Sequence, residues 1–474
     1  MSKESIRKQI EKLQSEAKAF TDDKSLPRET RFFINSMLSI LEIIVAVLLT
    51  KKVRKNSSNS GLPPSNDIGS HNDRNKPGDF DRNKRGSQVE NTRVVETKET
   101  VGPSECKACD TKLSDVEVYE TQEREKIDIV YEVIKHAVVS EVKICPECGT
   151  KNKGKFPKGM DGKVRYGIGI KATIINFLCV QMVSLERVQE HLKGILGRLI
   201  SQAVMLKYIA QFSASLEEWE GVMMDKLLHA PYLHVDETSL KVDKKNHWIH
   251  TYSQGDITLK FVHQKRGTEA IDDIGIIPRY GGVIIHDCYA SYFTYENVDH
   301  ALCGGHLLRE LKFIEESTGD RWATNMKKLL QEAAMTVSKR RSLRVLYEEE
   351  FKKLQANYRN ILTRAEKELP PFPERQGKKG RLKHTDAQNL WVRFKEHEAS
   401  ILRFARDRNI DFTNNRAERD IRGSKVKQKV SGCFRTLEYA RHFCRISSYI
   451  KSMRYKGYSA MEALMLALQG NIPI

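Results

Sequence analysis

The stretch "YLHVDETSLKV", residues 232–242, changes the character of the chain. Helical patterning precedes it, whereas this segment reads as a strand. "HWIHTYSQ" (247–254), "ITLKFVHQ" (257–264) and "GGVIIHDCYASY" (281–292) follow in the same manner. The first three are predicted to form a meander, and "GTEAIDDIG" (267–275) a crossover helix leading to the fourth. Asp236 stands inside an apolar strand, where a charge is costly unless it is paired or holds a metal. Asp287 follows Val283, Ile284 and Ile285 at the C-terminal end of its strand, where open α/β sheets place ligand sites. The two aspartates converge if their strands are neighbours. A capping or turn role is the bland alternative, and it suits Asp287 better than Asp236.

The chain has 474 residues, net charge +18 and a pI near 9.3, enough for several domains and a balance that favours a polyanionic partner. Its nine cysteines are too few and too unevenly placed for a disulfide scaffold. Four form two C-x-x-C pairs, Cys106/Cys109 and Cys145/Cys148, separated by 35 residues, the second within "CPECG". Two thiolates from each tight turn complete a tetrahedral structural Zn²⁺ site with no open position for chemistry. Redox use of the pairs is the alternative. "IDIVYEVIKHAVVSEVKI" (127–144), between the pairs, is predicted as strands and a hairpin. Cys179, Cys288, Cys433 and Cys444 read as ordinary thiols.

The N-terminus carries no signal-peptide pattern. Ile6, Ile10, Leu13, Ala17 and Phe20 form a short seam for a helix that pairs with another helix. "FFINSMLSILEIIVAVLLT" (32–50) is long enough to span a membrane, but Glu42 within it favours a packed or coiled-coil helix, so a soluble chain is expected. Residues 56–100 are rich in Ser, Asn, Asp, Gly and Pro and are expected to be a flexible linker. "SLERVQEHLKGILGRLISQAVMLKYIAQF" (184–212) reads as two helices with a turn near Gly197 and Ser201 capping the second. A DNA-binding helix-turn-helix and a generic helical hairpin fit it equally well. Residues 307–400 are helical and highly charged, and "MEALMLAL" is the last amphipathic helix.

Near the C-terminus, "NNRAERDIR" (414–422) reads as a helix start with Asn414 or Asn415 as cap. Glu418 stands there among Arg416, Arg419 and Arg422. Pairing with Arg422 at i,i+4 is one explanation. The other is a third oxygen ligand beside Asp236 and Asp287 for divalent metal, with two Mg²⁺ (or Mn²⁺) ions supporting phosphoryl displacement. Arg419, Arg422, Lys425, Lys427 and Lys429 would then hold the DNA backbone.

The ordered set "HVDET", "IIHDCYASY", "HALCGGHLLREL" and "NNRAERDIR…KQKVSGCFRT", with "NSSNSGLPPSND" before the "CPECG" knuckle, resembles the insertion-sequence-66 family of bacterial DDE transposases from about Asn56 onward. The resemblance implies a multidomain α+β and α/β protein, with a ribonuclease H-like catalytic core carrying a helical insertion. A zinc ribbon and a helical DNA-binding region would precede that core. It puts the catalytic carboxylates at Asp236, Asp287 and Glu418, with gaps of 51 and 131 residues. Cys303 and His306 match a C-x-x-H element, read as support for the site. Gly423 stands where many members have Pro. The implied boundaries are 1–55 (N-terminal helix), 56–100 (linker), 101–155 (zinc ribbon), 156–229 (helical), 230–306 (first part of the core), 307–410 (insertion) and 411–474 (completion of the core). The implied activity is divalent-metal-dependent cleavage of double-stranded DNA at the element's ends and joining to target DNA, in the bacterial cytoplasm. A homo-oligomer on DNA is implied, and accessory proteins of the same element are common in the family. A non-catalytic zinc-dependent DNA-binding protein and a nuclease without strand transfer are the competing readings. His234, His247, His250, His286 and His300 are read as packed or hydrogen-bonded, and Trp248 and Tyr289 as core. Tyr289 and Tyr292 are close enough to Asp287 to line the site.

Overall fold

The computed structural model describes Met37 and residues 99–474, apart from 125, 127–130, 158, 161–163, 341 and 374–383. The N-terminal seam, all but Met37 of the apolar stretch at 32–50, and residues 56–98 lie outside the described residues. No helix among the described residues is long and apolar enough to cross a membrane. The chain divides into two units, Ile68–Lys155 and the rest.

In the smaller unit, the two cysteine pairs sit on matching turns. The Cys106 N–H donates to Thr111 O at 2.9 Å and the Asp110 N–H to Cys106 O at 3.0 Å; Cys145, Thr150 and Gly149 repeat both bonds at the same distances. Each turn needs a left-handed residue just after its second cysteine, Asp110 (φ 56°) and Gly149 (φ 74°). Strands β1 (Val142–Ile144) and β2 (Lys151–Lys153) pair antiparallel around the second turn. Of the strands expected over 127–144, β1 forms at the C-terminal end, and 127–130 lie outside the described residues. Residues 131–141 have no regular structure, and Val133, Ile134 and Val139 are exposed. Their β-branched composition favours strands only where a packed face rewards it.

The larger unit begins with α1 (Ile168–Ile175), α2 (Leu185–Leu196), α3 (Gln202–Ser215) and α4 (Glu217–Leu228). Gly197, at φ 63°, ends α2, and the Ser201 hydroxyl accepts the Val204 N–H at 3.3 Å to start α3, as the sequence suggested. Then come β3 (Tyr232–Val242), β4 (Lys245–Gln254) and β5 (Ile257–His263), an antiparallel meander. Asp243 and Lys244, both at positive φ, make the two-residue turn between β3 and β4, the geometry that matches strand twist. Helix α5 (Thr268–Ile274) crosses over to β6 (Val283–His286), and β7 (Asp299–Leu302) closes a five-stranded sheet ordered β5-β4-β3-β6-β7. Both β6 and β7 run parallel to β3. Strand β7, only four residues long, is the element the sequence did not delimit.

Five helices then build a second apolar core: α6 (Gly304–Ser317), α7 (Arg321–Lys339), α8 (Glu348–Glu368), α9 (Asp386–Glu396) and α10 (Glu398–Leu402). The chain returns to the sheet with α11 (Asn415–Ser431), which packs on β3 and β4, and α12 (Leu437–Tyr455), which packs on β5. Helix α13 (Ala460–Leu468) ends the fold, started by a reciprocal cap between Ser459 and Glu462. The first core joins α1–α4, the sheet, α12 and α13.

Candidate active site

Parallel pairing of β3 with β6 matches Tyr232 with Val283 and His234 with Ile285, an offset of 51 residues. Asp236 and Asp287 differ by the same 51. Carried two residues past the last pair, the register puts both carboxylates on one face at the C-terminal end of β6. Cys288 follows at φ 74°, a left-handed conformation that a non-glycine residue adopts at some cost, and it turns the chain away directly after Asp287. Each aspartate also accepts a nearby backbone N–H: Glu237 to Asp236 Oδ1 at 2.9 Å, and Tyr289 to Asp287 Oδ1 at 3.1 Å.

Glu418 arrives from α11 after the long helical excursion, and a small set of contacts seats it. The Gly304 N–H donates to Phe412 O at 2.8 Å. The Asn414 N–H donates to the buried Cys303 Sγ at 3.1 Å. Asn414 does not cap α11 with its side chain. Its Nδ2 instead donates to Val235 O at 2.7 Å, and its Oδ1 accepts from His234 Nδ1 at 2.9 Å. One buried amide thus ties the start of α11 to the strand that carries Asp236. Gly304 is required by close approach, because a Cβ there would stand 2.2 Å from the Phe412 ring.

Glu418 Oε1 then lies 3.5 Å from His306 Nδ1 and 3.7 Å from Arg309 Nη2. The i,i+4 pair with Arg422 does not form. Among the described residues, Cys303, His306 and Glu418 are the one group of three whose ligand atoms all lie within 4.8 Å of one another. The sequence read the first two as support, and the structure adds Glu418 to them. Burial weakens the charged state of His306 and lowers its pKa. The Asp236 carboxyl is strongly perturbed. Burial raises its pKa well above the usual value, and the charges of Glu237, Asp287 and Glu418 raise it further.

Glu237, next to Asp236, and its partner Arg266 carry no signal in the sequence. Glu237 is buried on β3, and burial, followed by the Asp287 charge, pushes its pKa up to about 7. Its Oε2 accepts the Tyr292 hydroxyl at 2.7 Å, and its Oε1 accepts Arg266 Nε at 2.9 Å and Nη2 at 2.7 Å. Tyr292 therefore lies close to the aspartates, as expected, but is buried. The histidines behave as read: His234 is bonded as above, and His286 Nε2 meets His300 Nδ1 at 3.2 Å.

The basic residues of α11 divide by helix face. Arg419, Arg422 and Lys429 are exposed. Lys425 is half-buried and donates to Ser239 O at 3.0 Å. Lys427 is buried and donates to Leu178 O at 3.3 Å, which corrects its reading as a DNA contact. It lies two helical turns from Asp420 on the inward face. Asp420, left without a role by the sequence, is a buried hub. It accepts from Tyr455 (2.7 Å), Thr258 (2.7 Å), Ser253 (2.9 Å) and Arg416 (3.0 Å).

A family model described as "Transposase IS66 family" matches residues 163–442. The chain belongs to this transposase family. No curated protein matches. IS66 transposases are an enzyme class that acts on DNA, so divalent metal use and DNA binding follow at the level of the family. The matched span of this IS66 chain contains the whole sheet, the helical excursion and α11, and ends within α12. The knuckle-bearing unit lies outside it.

Proposed function

We propose that this transposase cleaves the ends of its own element and joins them to target DNA at a site formed by Asp236, Asp287 and Glu418, on a ribonuclease H-like core. The observation that carries this reading is the shared offset of 51, which gives Asp236 and Asp287 matched positions on adjacent parallel strands. The donor set suits a divalent cation. Asp236 within β3, Asp287 just past β6 and Glu418 on α11 lie in electrostatic reach of one another: burial first, then the charges of Glu237, Asp287 and Glu418, raises the Asp236 pKa. When bound, Mg²⁺ or Mn²⁺ would supply charge neutralisation and activation of the attacking oxygen for in-line displacement at a phosphodiester.

The protein's own part is placement. The sheet fixes the two aspartates, the Asn414 bonds fix the start of α11, and His306 and Arg309 flank the Glu418 carboxylate. Exposed Arg419, Arg422 and Lys429 attract the DNA backbone. The four cysteines have the chemistry for structural Zn²⁺, four thiols on two equivalent turns. Thr111 and Thr150 hydroxyls lower the pKa of Cys109 and Cys148, Cys148 to about 7. In this reading the zinc ribbon and the α2–α3 pair recognise the element's ends, and the chain assembles with itself on DNA in the bacterial cytoplasm.

The test is a cleavage and strand-transfer assay on duplex DNA bearing the element's ends, with Mg²⁺ or Mn²⁺. Wild type should cleave and join, while Asp236→Ala, Asp287→Ala and Glu418→Ala should each lose both steps. Cleavage that survives all three substitutions would remove the assignment, and cleavage without joining would favour a nuclease.

A further inference from the structure

Arg266 stands just after β5, in the loop that leads to α5, and three side chains hold it. Its Nε and Nη2 donate to Glu237 Oε1. One face of the guanidinium lies over the Tyr289 ring, 4.0 Å from the centroid, and Trp248 is stacked at 4.9 Å. Tyr292 fixes the other oxygen of Glu237. The side chain of Glu237 is 1% exposed and that of Arg266 is 37% exposed. Among the described residues, Nη1 has no hydrogen-bond partner.

Neutralising a buried glutamate requires a cation but neither two aromatic rings nor a solvent-facing edge. Both rings pack against the guanidinium, and the carboxylate occupies one edge. The N–H donors of the remaining edge point in the guanidinium plane, the geometry that matches phosphate oxygens. Because the side chain is already immobilised, a ligand meeting that edge need not pay to order it. Asp287 adds its charge to that of Glu237, and together they offset burial and hold the guanidinium pKa above its usual value. Arg266 is therefore in electrostatic contact with Asp287.

We infer that Arg266 is a phosphate-binding residue for the DNA strand bound at the aspartates, with Glu237, Trp248, Tyr289 and Tyr292 as its positioning residues. This rests on the proposed DNA-cleaving function of the same site. A phosphate contact contributes to affinity through counterion release, so it has a readout that does not depend on chemistry. Each contact adds about 0.9 to the slope of log affinity against log salt on B-form DNA.

The experiment measures fluorescence anisotropy of a labelled duplex from the element's end, across a KCl series, with the full-length protein. Arg266→Ala should lower the slope by about 0.9, and Arg266→Lys, which keeps the charge, should retain it. Since Arg266→Ala leaves Glu237 buried and unpaired, the double variant Arg266→Met/Glu237→Gln is measured as well. It removes the pair as a unit, and its slope should fall by the same amount. A wild-type slope in the folded double variant overturns the inference, as does a loss of affinity that varies with base sequence and leaves the slope unchanged. The cleavage assay is read separately. A wild-type protein that cleaves, with variants whose slope equals its own, refutes only the role of Arg266. A changed slope in a protein that never cleaves refutes the catalytic reading and leaves the phosphate contact standing.

Discussion

Asp236 on β3 and Asp287, the residue directly after β6, fall opposite each other when the β3–β6 register is carried two residues past its last pair, which puts the two acids on one face of the sheet. Burial of Asp236, reinforced by the charges of Glu237, Asp287 and Glu418, has a thermodynamic signature. A carboxyl whose folded pKa lies above its unfolded value of about 3.9 binds more protons when folded, so stability falls as pH rises from there toward the folded pKa. Asp236 is in that position. Asp236→Asn should therefore melt like wild type near pH 4 and at higher temperature at neutral pH, while losing all cleavage. About 1 kcal/mol relieved is worth roughly 2–4 °C in a domain of 150–250 residues. Mg²⁺ should raise the wild-type melting temperature and leave the variant unmoved. Thermal scans at several pH values with and without Mg²⁺ check this, and a variant less stable than wild type at neutral pH would contradict it.

Gly304→Ala places a methyl group against the Phe412 ring, where a Cβ would stand at 2.2 Å. Overpacking of this kind costs about 1–3 kcal/mol, and here it acts on the contact that seats α11 and Glu418. The expected result is a modest loss of stability and a large loss of metal-dependent cleavage. Gly304→Ala/Phe412→Leu, which removes the ring, should recover part of both.

The legible parts of this chain were those with a local pattern. The meander, the crossover helix, the α2–α3 hairpin and the two aspartates all follow from alternation, apolar runs or capping residues within a few positions. What stayed hidden depends on contacts between distant segments. Arg266 is one basic residue in a loop until Trp248 and Tyr289 close on it from elsewhere in the chain. Asn414 looked like a cap, but its side chain bonds to β3, about 180 residues earlier in the sequence. Counting charge without helix phase misplaces Lys427, which is buried. Seven residues after Asp420 it must face inward as Asp420 does, and the 3.6-residue repeat already contained that information. Residues 131–141 misled in the opposite way, since β-branched composition was present without a packed face to use it.

Asp420 yields a prediction about the fold rather than the chemistry. Burial works against its charge, but hydrogen bonds from Tyr455 and Thr258, with Arg416 and Lys451 beside it, overcome that and lower its pKa. A lowered carboxyl pKa contributes stability that is complete above the unfolded value and fades as pH falls through the folded one. Asp420→Ala strands these partners and should cost about 3–5 kcal/mol at neutral pH. The difference from wild type should shrink under acid conditions. Chemical denaturation at pH 7 and near pH 3 measures it, and a pH-independent loss would mean that packing rather than charge holds α11 to β4 and β5.

The knuckle-bearing unit gives the last prediction. Cys148, exposed and lowered to about 7 by the Thr150 hydroxyl, should be alkylated in metal-stripped protein at a rate that rises through about pH 7. An ordinary thiol titrates at about 8.5 instead. Bound Zn²⁺ should protect all four cysteines together, because each thiolate would be a ligand. Removal of the metal should abolish hydrogen-exchange protection at the Thr150–Cys145 and Thr111–Cys106 turns and leave β3–β7 unchanged. Cys148→Ala should bring zinc content from about one per chain to near zero. Thr150→Val keeps the ligands but removes the hydroxyl, so it should move the alkylation midpoint upward and weaken zinc binding at neutral pH. If Thr150→Val shifts neither, the hydroxyl is not what prepares the thiol, and the turn's backbone bonds must do so alone.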